Sequence, residues 1–359
     1  MVRLHSEKDV YYEYEPSSLP FREDAWGRYY LGKCYSKKNS QFISLVSVCV
    51  VPEDNLFIHS MAEKIKNHPC IDYSQSCFIP ILDVIERRIE IADIIETYYT
   101  KKTESYLIED FYDGVSLNSI MKGCVCGVKG APIDYAIRMY KLYQTDRGEF
   151  AKTILRVILK GVQNANDNGS HLRFIEYPQC IMFTENAEIK VRMLDSFLHG
   201  SDIVFDFTVH PLFFGMFLDK NIAFYSPEGC EDLKSDIYSI GVLLFYILTG
   251  RLPYKGECVE KLFRLPDIPF EVYLEDDDVM SDLFKTKIEF RDLQNKGYLL
   301  SDEIDDVKLR KIFKKATQRN PYRRYQSANE FAKDLDDDTV MMKIPMHERI
   351  ISYFKKFLN

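Results

Sequence analysis

The most apolar stretch of the chain, Ile237–Leu248, restricts more than any other feature how this sequence can fold. A helix built from these residues is hydrophobic on nearly every side, so other parts of the protein must surround it. The stretch falls well short of the ~20 residues that a membrane helix needs, and Asp236 and Arg251 stand at its two ends. We therefore expect a buried core helix and no membrane span.

The overall composition is that of a globular chain with an acidic balance. The 359 residues are 46% hydrophobic and 14% aromatic, enough for one large two-lobed domain or two smaller ones. Lys and Arg number 47 against 55 Asp and Glu, a net charge of −8, and no basic block interrupts the chain. This balance argues against nucleic acid or an anionic membrane surface as the main partner.

Two further features bear on the cellular compartment. The segment Met1–Glu15 is charged and tyrosine-rich, and it lacks the apolar core of a secretory signal. The nine cysteines are scattered, and an odd number cannot all pair within one chain. We therefore expect reduced, mostly buried thiols and a cytoplasmic protein.

β-branched and aromatic residues dominate the first third of the chain, whereas helical patterns dominate the rest. Strand composition predicts adjacent strands within Gly27–Val51 and further strands at Phe78–Glu86 and Ser105–Phe111. After the turn signal Asp113-Gly114, apolar periodicity predicts helices at Phe150–Asn166, Ser235–Leu248, Lys308–Gln318 and Ser327–Leu335. The sequence thus predicts an α+β protein with a joint near residues 109–114.

This change of character divides the chain into four predicted parts. They are an irregular N-terminal extension over residues 1–25, a β-rich lobe over 26–112, a helical lobe over 113–338 and a C-terminal tail over 339–359. The tail mixes apolar and basic residues in a pattern that favours an amphipathic helix.

Three segments in the second half of the chain give a more specific signal. They are Tyr225-Ser-Pro-Glu228, Ser235–Tyr254 and Asn320–Ala328, and in this order and spacing they resemble the C-lobe of the Ser/Thr protein kinase family, bacterial members most closely. Ser105–Leu117 likewise resembles the last N-lobe strand of that family, its hinge and the residues that follow. The resemblance covers about Gly27–Leu335 and implies the bilobal protein kinase fold, with a β-rich N-lobe and a mainly α-helical C-lobe.

The resemblance also implies structural roles for three charged residues of the C-lobe. Glu228 matches the glutamate of the family's A-P-E motif, which pairs with an arginine that Arg324 matches here. Asp236 matches the aspartate that opens the buried central helix. Elementary electrostatics supports this assignment, because a carboxylate inside a helical core is costly without a charged hydrogen-bond partner.

Members of this family transfer phosphate from ATP with the help of Mg²⁺, so the resemblance implies these cofactors and positions that hold them. Gly27 and Gly32 match the first and third glycines of the phosphate-binding loop, but Tyr29 stands where the middle glycine belongs. Glu109 and Phe111 fall on the hinge segment that would contact the nucleotide.

The charged groups that would handle the triphosphate are mostly replaced. The lysine of the N-lobe strand becomes Cys49, and the catalytic base becomes Ile175, or Phe174 if the alignment gap is moved. An asparagine that binds metal becomes Cys180, a soft ligand that Mg²⁺ disfavours. Asp195 alone remains as a candidate metal ligand.

The combined loss of base, lysine and metal ligand would remove most of the rate acceleration of a kinase. The sequence therefore predicts a pseudokinase, a regulatory or scaffolding protein that contacts a protein partner and binds ATP weakly or not at all. Two alternatives stay open. One is an active atypical Ser/Thr kinase or nucleotidyl transferase that uses Asp195 to hold a metal, and the other is a nucleotide or ligand sensor without turnover.

Overall fold

The computed structural model describes residues 1–24, 27–51, 77–92, 99–167, 178–192, 223–224, 226–228, 232–264, 277–297 and 299–337. These residues form a β-rich N-lobe and a mainly helical C-lobe, joined by a short hinge at residues 111–113. The predicted α+β, two-lobed architecture is therefore present, with the joint where the sequence indicates it.

The N-lobe is built around one antiparallel sheet of seven strands among the described residues. They are β1 (Val2–His5), β2 (Val10–Tyr14), β3 (Arg22–Asp24), β4 (Gly27–Ser36), β5 (Phe42–Val51), β6 (Ile81–Ala92) and β7 (Tyr99–Asp110). The order across the sheet is β1-β2-β4-β5-β7-β6, and β3 also pairs with β4. The β-branched and aromatic content of these segments suits a pleated, half-buried surface.

One face of this sheet is covered by its own hydrophobic core, because side chains alternate between the two faces of each strand. On β5, Val46 and Val48 are fully buried in that core, which tyrosines of β2, β4 and β7 complete. Ser47 and Cys49 alternate with these valines along the strand. Their side chains therefore point to the opposite face, toward the hinge and the C-lobe. The register of β5 therefore decides which side chains face the C-lobe.

The prediction of an irregular extension over residues 1–25 is wrong, because β1, β2 and β3 belong to the sheet. Strand β2 pairs with the second half of β4, and β3 pairs with the first half. The Ser6 hydroxyl donates to the carboxylate of Asp83 on the far side of the sheet, so the sheet curls until β1 approaches β6. These strands are specified by pairing with residues distant in sequence, which local composition does not report.

The C-lobe begins with a small sheet and continues with helices. Strands β8 (Gly114–Ser116), β9 (Ile181–Thr184) and β10 (Ile189–Val191) form an antiparallel sheet in the order β10-β9-β8. The described helices are α1 (Leu117–Met121), α2 (Asp134–Thr145), α3 (Arg147–Asp167), α4 (Leu233–Thr249), α5 (Glu257–Arg264), α6 (Asp277–Lys296), α7 (Val307–Ala316) and α8 (Ala328–Asp336).

Helix α4 is the buried core helix that the apolar stretch predicts. Its residues from Ser235 to Phe245 are all buried, and it packs against α3, α7 and α8. The side chain of Asp232 caps its N-terminus by accepting from the amides of Lys234 and Ser235, and Gly250 ends it in the left-handed conformation, φ 76°. Among the described helices, none is both long enough and apolar enough to cross a bilayer.

The place of the N-terminal strands in the fold can be tested with two leucines from the segment predicted to be irregular. Leu4 on β1 is 1% exposed, whereas Leu19 is 92% exposed. We expect Leu4→Ala to lower the free energy of unfolding by roughly 2–5 kcal/mol, because it leaves a cavity in the core. The control Leu19→Ala should change it by less than about 0.5 kcal/mol. Urea unfolding of both variants measures the difference, and equal small effects would contradict the assignment of β1 to the core.

Candidate functional site

A cavity of about 330 Å³ lies where strands β4, β5 and β7 meet the hinge, β8, β9 and α1. The aromatic rings of Phe21, Tyr29, Phe111 and Tyr112 form much of its wall. Its volume lies at the lower end of the ~300–1,000 Å³ that small-molecule sites occupy. The cavity is therefore the candidate site, placed in the cleft between the lobes.

A buried ion pair forms the back of this cavity. Glu109 on β7 and Arg192, just after β10, have side chains only 4% and 5% exposed. The Nη2 atom of Arg192 donates to both carboxylate oxygens of Glu109, at 2.9 and 3.1 Å, and Nε also reaches Oε2 at 3.3 Å. Bidentate geometry of this kind is among the strongest that side chains form. The pair joins the N-lobe sheet to the C-lobe.

The ring of Tyr29 covers the guanidinium group of that pair. Its centroid lies 4.4 Å from Cζ of Arg192, within the range of a cation–π contact. Tyr29 is fully buried near the start of β4, so the contact brings this end of the strand down over the back of the cavity. Glu109, Arg192 and Tyr29 together are called the cleft-back cluster below.

Cys49 occupies the predicted lysine position on β5, and it is fully buried. Its cross-strand neighbours are Tyr29 on β4 and Leu107 on β7. Two residues earlier, Ser47 lies opposite Glu109 and lines the cavity, and its hydroxyl oxygen is buried with no hydrogen-bond partner among the described residues. Ser47 thus lines the cavity with a hydroxyl, whereas the Cys49 thiol is buried and does not line the cavity.

Gly27 and Gly32, which match two glycines of the phosphate-binding loop, both belong to the continuous strand β4, in agreement with the strand composition of Gly27–Val51. Gly27 begins the strand at φ +148°, and a Cβ there would come within 2.1 Å of the carbonyl oxygen of Val50. Gly32 lies in mid-strand, where a Cβ would be 2.7 Å from Val48. Close packing between β4 and β5 accounts for both glycines, and nucleotide contact by either stays a prediction.

Phe111 lies in the hinge and Glu109 at the end of β7 beside it, and both line the cavity; nucleotide contact by either stays a prediction. The ring of Phe111 packs edge-on against Phe21 at 5.8 Å between centroids, and Nζ of Lys129 lies 5.7 Å from its centre. Burial raises the pKa of the neighbouring Tyr112, and the Asp110 carboxylate raises it further, so this phenol stays neutral. The hinge is therefore an aromatic wall.

Two predicted site residues, Ile175 and Asp195, lie outside the described residues, as does the tail over 339–359. Cys180 is described and buried, and its carbonyl oxygen accepts from the amide of Arg192 at 2.9 Å. No group of three or more His, Cys, Asp or Glu side chains in the described part of the chain is arranged to hold a metal.

Arg192 belongs to none of the motifs found in the sequence, but the sequence does carry one signal for it. Arg192 interrupts the apolar run Val191–Leu194, and a cation in such a run requires a buried partner. That partner, Glu109, is 83 residues away in the chain. Only the fold brings the two together.

The Glu228–Arg324 pair that the resemblance implies is present in the C-lobe. Arg324 has a fully buried side chain, and its Nη2 donates to Oε2 of Glu228 at 2.8 Å. The same guanidinium donates to the carbonyl oxygens of Lys234 and Gln318, at 2.8 and 2.7 Å. Asp236 is buried in the first turn of α4. These contacts tie the start of α4 to the segment before α8.

Comparison with known proteins yields a partial match to bacterial kinases. No protein-family model matches the chain. The Ser/Thr protein kinase PrkC of Bacillus subtilis is 26% identical over 119 residues, which are 32% of this chain and 15% of that relative's length. The PknI kinase domain of Mycobacterium tuberculosis has a TM-score of 0.49 and 14% identity, covering 87% of this chain and 91% of that chain. The chain thus combines a bilobal α+β fold with a partial sequence similarity to a bacterial Ser/Thr protein kinase.

Arg324 offers a test of the contacts in the C-lobe. Arg324→Ala leaves two buried carbonyl oxygens and one carboxylate without their donor, so we expect it to cost roughly 3 kcal/mol of unfolding free energy. Its neighbour Arg323 is exposed, and Arg323→Ala should cost less than about 0.5 kcal/mol. Chemical denaturation of both variants measures this, and similar losses would contradict the structural role of Arg324.

Proposed function

We propose that this chain is a pseudokinase: a protein kinase-like domain that binds ATP weakly or not at all and acts through contact with a protein partner. The buried thiol of Cys49 supports this most directly. Phosphoryl transfer by kinases depends on a lysine that holds the phosphates, and a neutral thiol at that position supplies no positive charge. The residues present thus do not fit ATP and Mg²⁺ as a kinase holds them.

Arg192, at the back of the cavity, does not take the place of that lysine in our proposal. Arg192 already binds the Glu109 carboxylate in two places, and Tyr29 covers its guanidinium. A triphosphate that used Arg192 would have to displace Glu109 and leave a carboxylate buried without its partner, which is costly. The cleft-back cluster therefore opposes nucleotide binding rather than assisting it.

The sequence assignments elsewhere agree with this proposal. Ile175 has no atom that accepts a proton, and the Cys180 thiol is a poor ligand for Mg²⁺. Asp195 is then the single carboxylate left for a metal, and one carboxylate without lysine or base supports little phosphoryl transfer.

A protein partner and a cytoplasmic location complete the proposal. The adjacent apolar residues Phe42 and Ile43 begin strand β5 and are 49% and 53% exposed. Apolar surface of this kind is the part of the N-lobe that a partner would cover. None of the described cysteines forms a disulfide, which agrees with a reducing compartment.

The open part of the cavity favours one second candidate, a ligand sensor without turnover. A volume of about 330 Å³ with an aromatic wall and the buried, unsatisfied hydroxyl of Ser47 (counting described residues) has room and polarity for a small ring compound. If such a compound raised the unfolding temperature of the protein and was not itself converted, the result would favour the sensor over a scaffold whose cleft binds no ligand.

ATP binding is tested by thermal unfolding of the full chain with 1 mM ATP, with and without Mg²⁺. ATP binding with a dissociation constant of ~10 μM would raise the free energy of unfolding by about 2.7 kcal/mol under these conditions. We expect a much smaller gain in unfolding free energy that Mg²⁺ does not change, because the neutral thiol of Cys49 stands at the position of the kinase lysine and Asp195 is the single carboxylate assigned to a metal.

The matched variant is Asp195→Ala, which should leave the response to ATP unchanged. Labelled γ-phosphate should not be transferred to a generic protein substrate. Strong Mg²⁺-dependent stabilisation that Asp195→Ala abolishes, or phosphate transfer that it abolishes, would contradict the pseudokinase proposal and support the atypical enzyme.

A further inference from the structure

We propose that the cleft-back cluster is a closing contact: the Glu109–Arg192 pair, with Tyr29 stacked on it, holds strand β4 down over the cavity and keeps the back of the cleft shut. The inference rests on the geometry of these three residues and not on the proposed function. An active enzyme built on this chain would also have to open the contact.

The C-lobe side of the contact is rigidly placed. The amide of Val191 donates to the carbonyl oxygen of Cys77 at 2.7 Å, and the amide of Arg192 donates to that of Cys180 at 2.9 Å. The backbone of Arg192 is therefore fixed on both sides before its side chain reaches the cleft. The guanidinium is planar, so little conformational entropy is lost for each hydrogen bond that it forms, which favours the bidentate pair.

The N-lobe side comes from two different strands. Glu109 is at the end of β7, next to the hinge, and Tyr29 is in β4, with β5 between them in the sheet. Arg192 contacts both, so a single C-lobe side chain bridges strands at the hinge and strands above the cavity. Movement of β4 away from the C-lobe must break the contact between Tyr29 and Arg192.

Such a pair is better suited to fixing one arrangement than to adding stability. Burying two charges costs nearly as much as their attraction returns, whereas separating them leaves two unpaired charges in a poorly solvated site. A partly open cleft is thus higher in free energy than the closed one, because it leaves both charges unpaired. A ligand or partner that opens the cleft must supply an anion to Arg192 and a donor to Glu109.

Cys49 reports on this contact because it is the cross-strand neighbour of Tyr29 on the same face of the sheet. While Tyr29 is held against Arg192, the thiol is fully buried. Cys34 provides the control. It lies on β4, the strand of Tyr29, but is buried in the core on the opposite face of the sheet. Opening of the cleft should expose Cys49 alone, whereas unfolding of the N-lobe exposes both.

The experiment measures the rate of iodoacetamide reaction at Cys49 and Cys34 in the full native chain, by mass spectrometry of the alkylated peptides. We expect Glu109→Gln and Arg192→Met each to raise the Cys49 rate at least about tenfold while the Cys34 rate stays within about twofold. The double variant should raise the Cys49 rate by less than the product of the two single effects, because both remove the same interaction.

Unchanged Cys49 rates in both single variants would overturn the proposal, and so would a parallel rise at Cys34 or effects that multiply in the double variant. If a charge variant does not fold, Tyr29→Leu makes the same test, because it leaves the ion pair intact and removes only the ring. That variant should raise the Cys49 rate alone, and protection of Cys49 equal to that of the unaltered chain would contradict the closing role.

Discussion

The pairing of Glu109 with Arg192 is the interaction on which the character of the cleft depends. It is almost fully buried, it joins the N-lobe sheet to the end of β10, and it places a neutralised charge pair at the back of the cavity. Because a buried carboxylate is costly without its partner, other features of the site must accommodate this pair. Tyr29 does so by covering the guanidinium, and Ser47 does so by remaining small opposite Glu109.

The proposed function depends on a difference between the C-lobe, which keeps its buried structural contacts, and the cleft. The C-lobe retains the elements that organise a two-lobed fold, including the buried helix α4 and the Arg324 guanidinium that binds Glu228 and two backbone carbonyls. In the proposed function, the buried thiol of Cys49 stands at the position of the kinase lysine, and the Arg192 guanidinium at the back of the cavity is paired with Glu109. The scaffold and the phosphate-handling groups are thus separable, and the proposed role in protein contact uses the first without the second.

The sequence predicts those parts of the fold that depend on local pattern. Apolar periodicity and caps lie within each helix, so α4 and its neighbours are found close to their predicted bounds. The strands of residues 1–24 depend on pairing across the sheet, which local composition does not report. The spacing of Gly27 and Gly32 likewise does not report the close approach of neighbouring strands that requires a glycine at both positions. The cleft-back cluster depends on tertiary proximity of residues 83 positions apart, which no local pattern reports.

The central claim, that the scaffold persists without a working site for the triphosphate, is tested most directly by titration calorimetry of the full chain with ATP and Mg²⁺. We expect no saturable binding below the millimolar range, and the same weak heats when Mg²⁺ is removed. A micromolar dissociation constant that requires Mg²⁺ would contradict this claim, since it would reveal a metal-dependent phosphate site that the proposed function excludes.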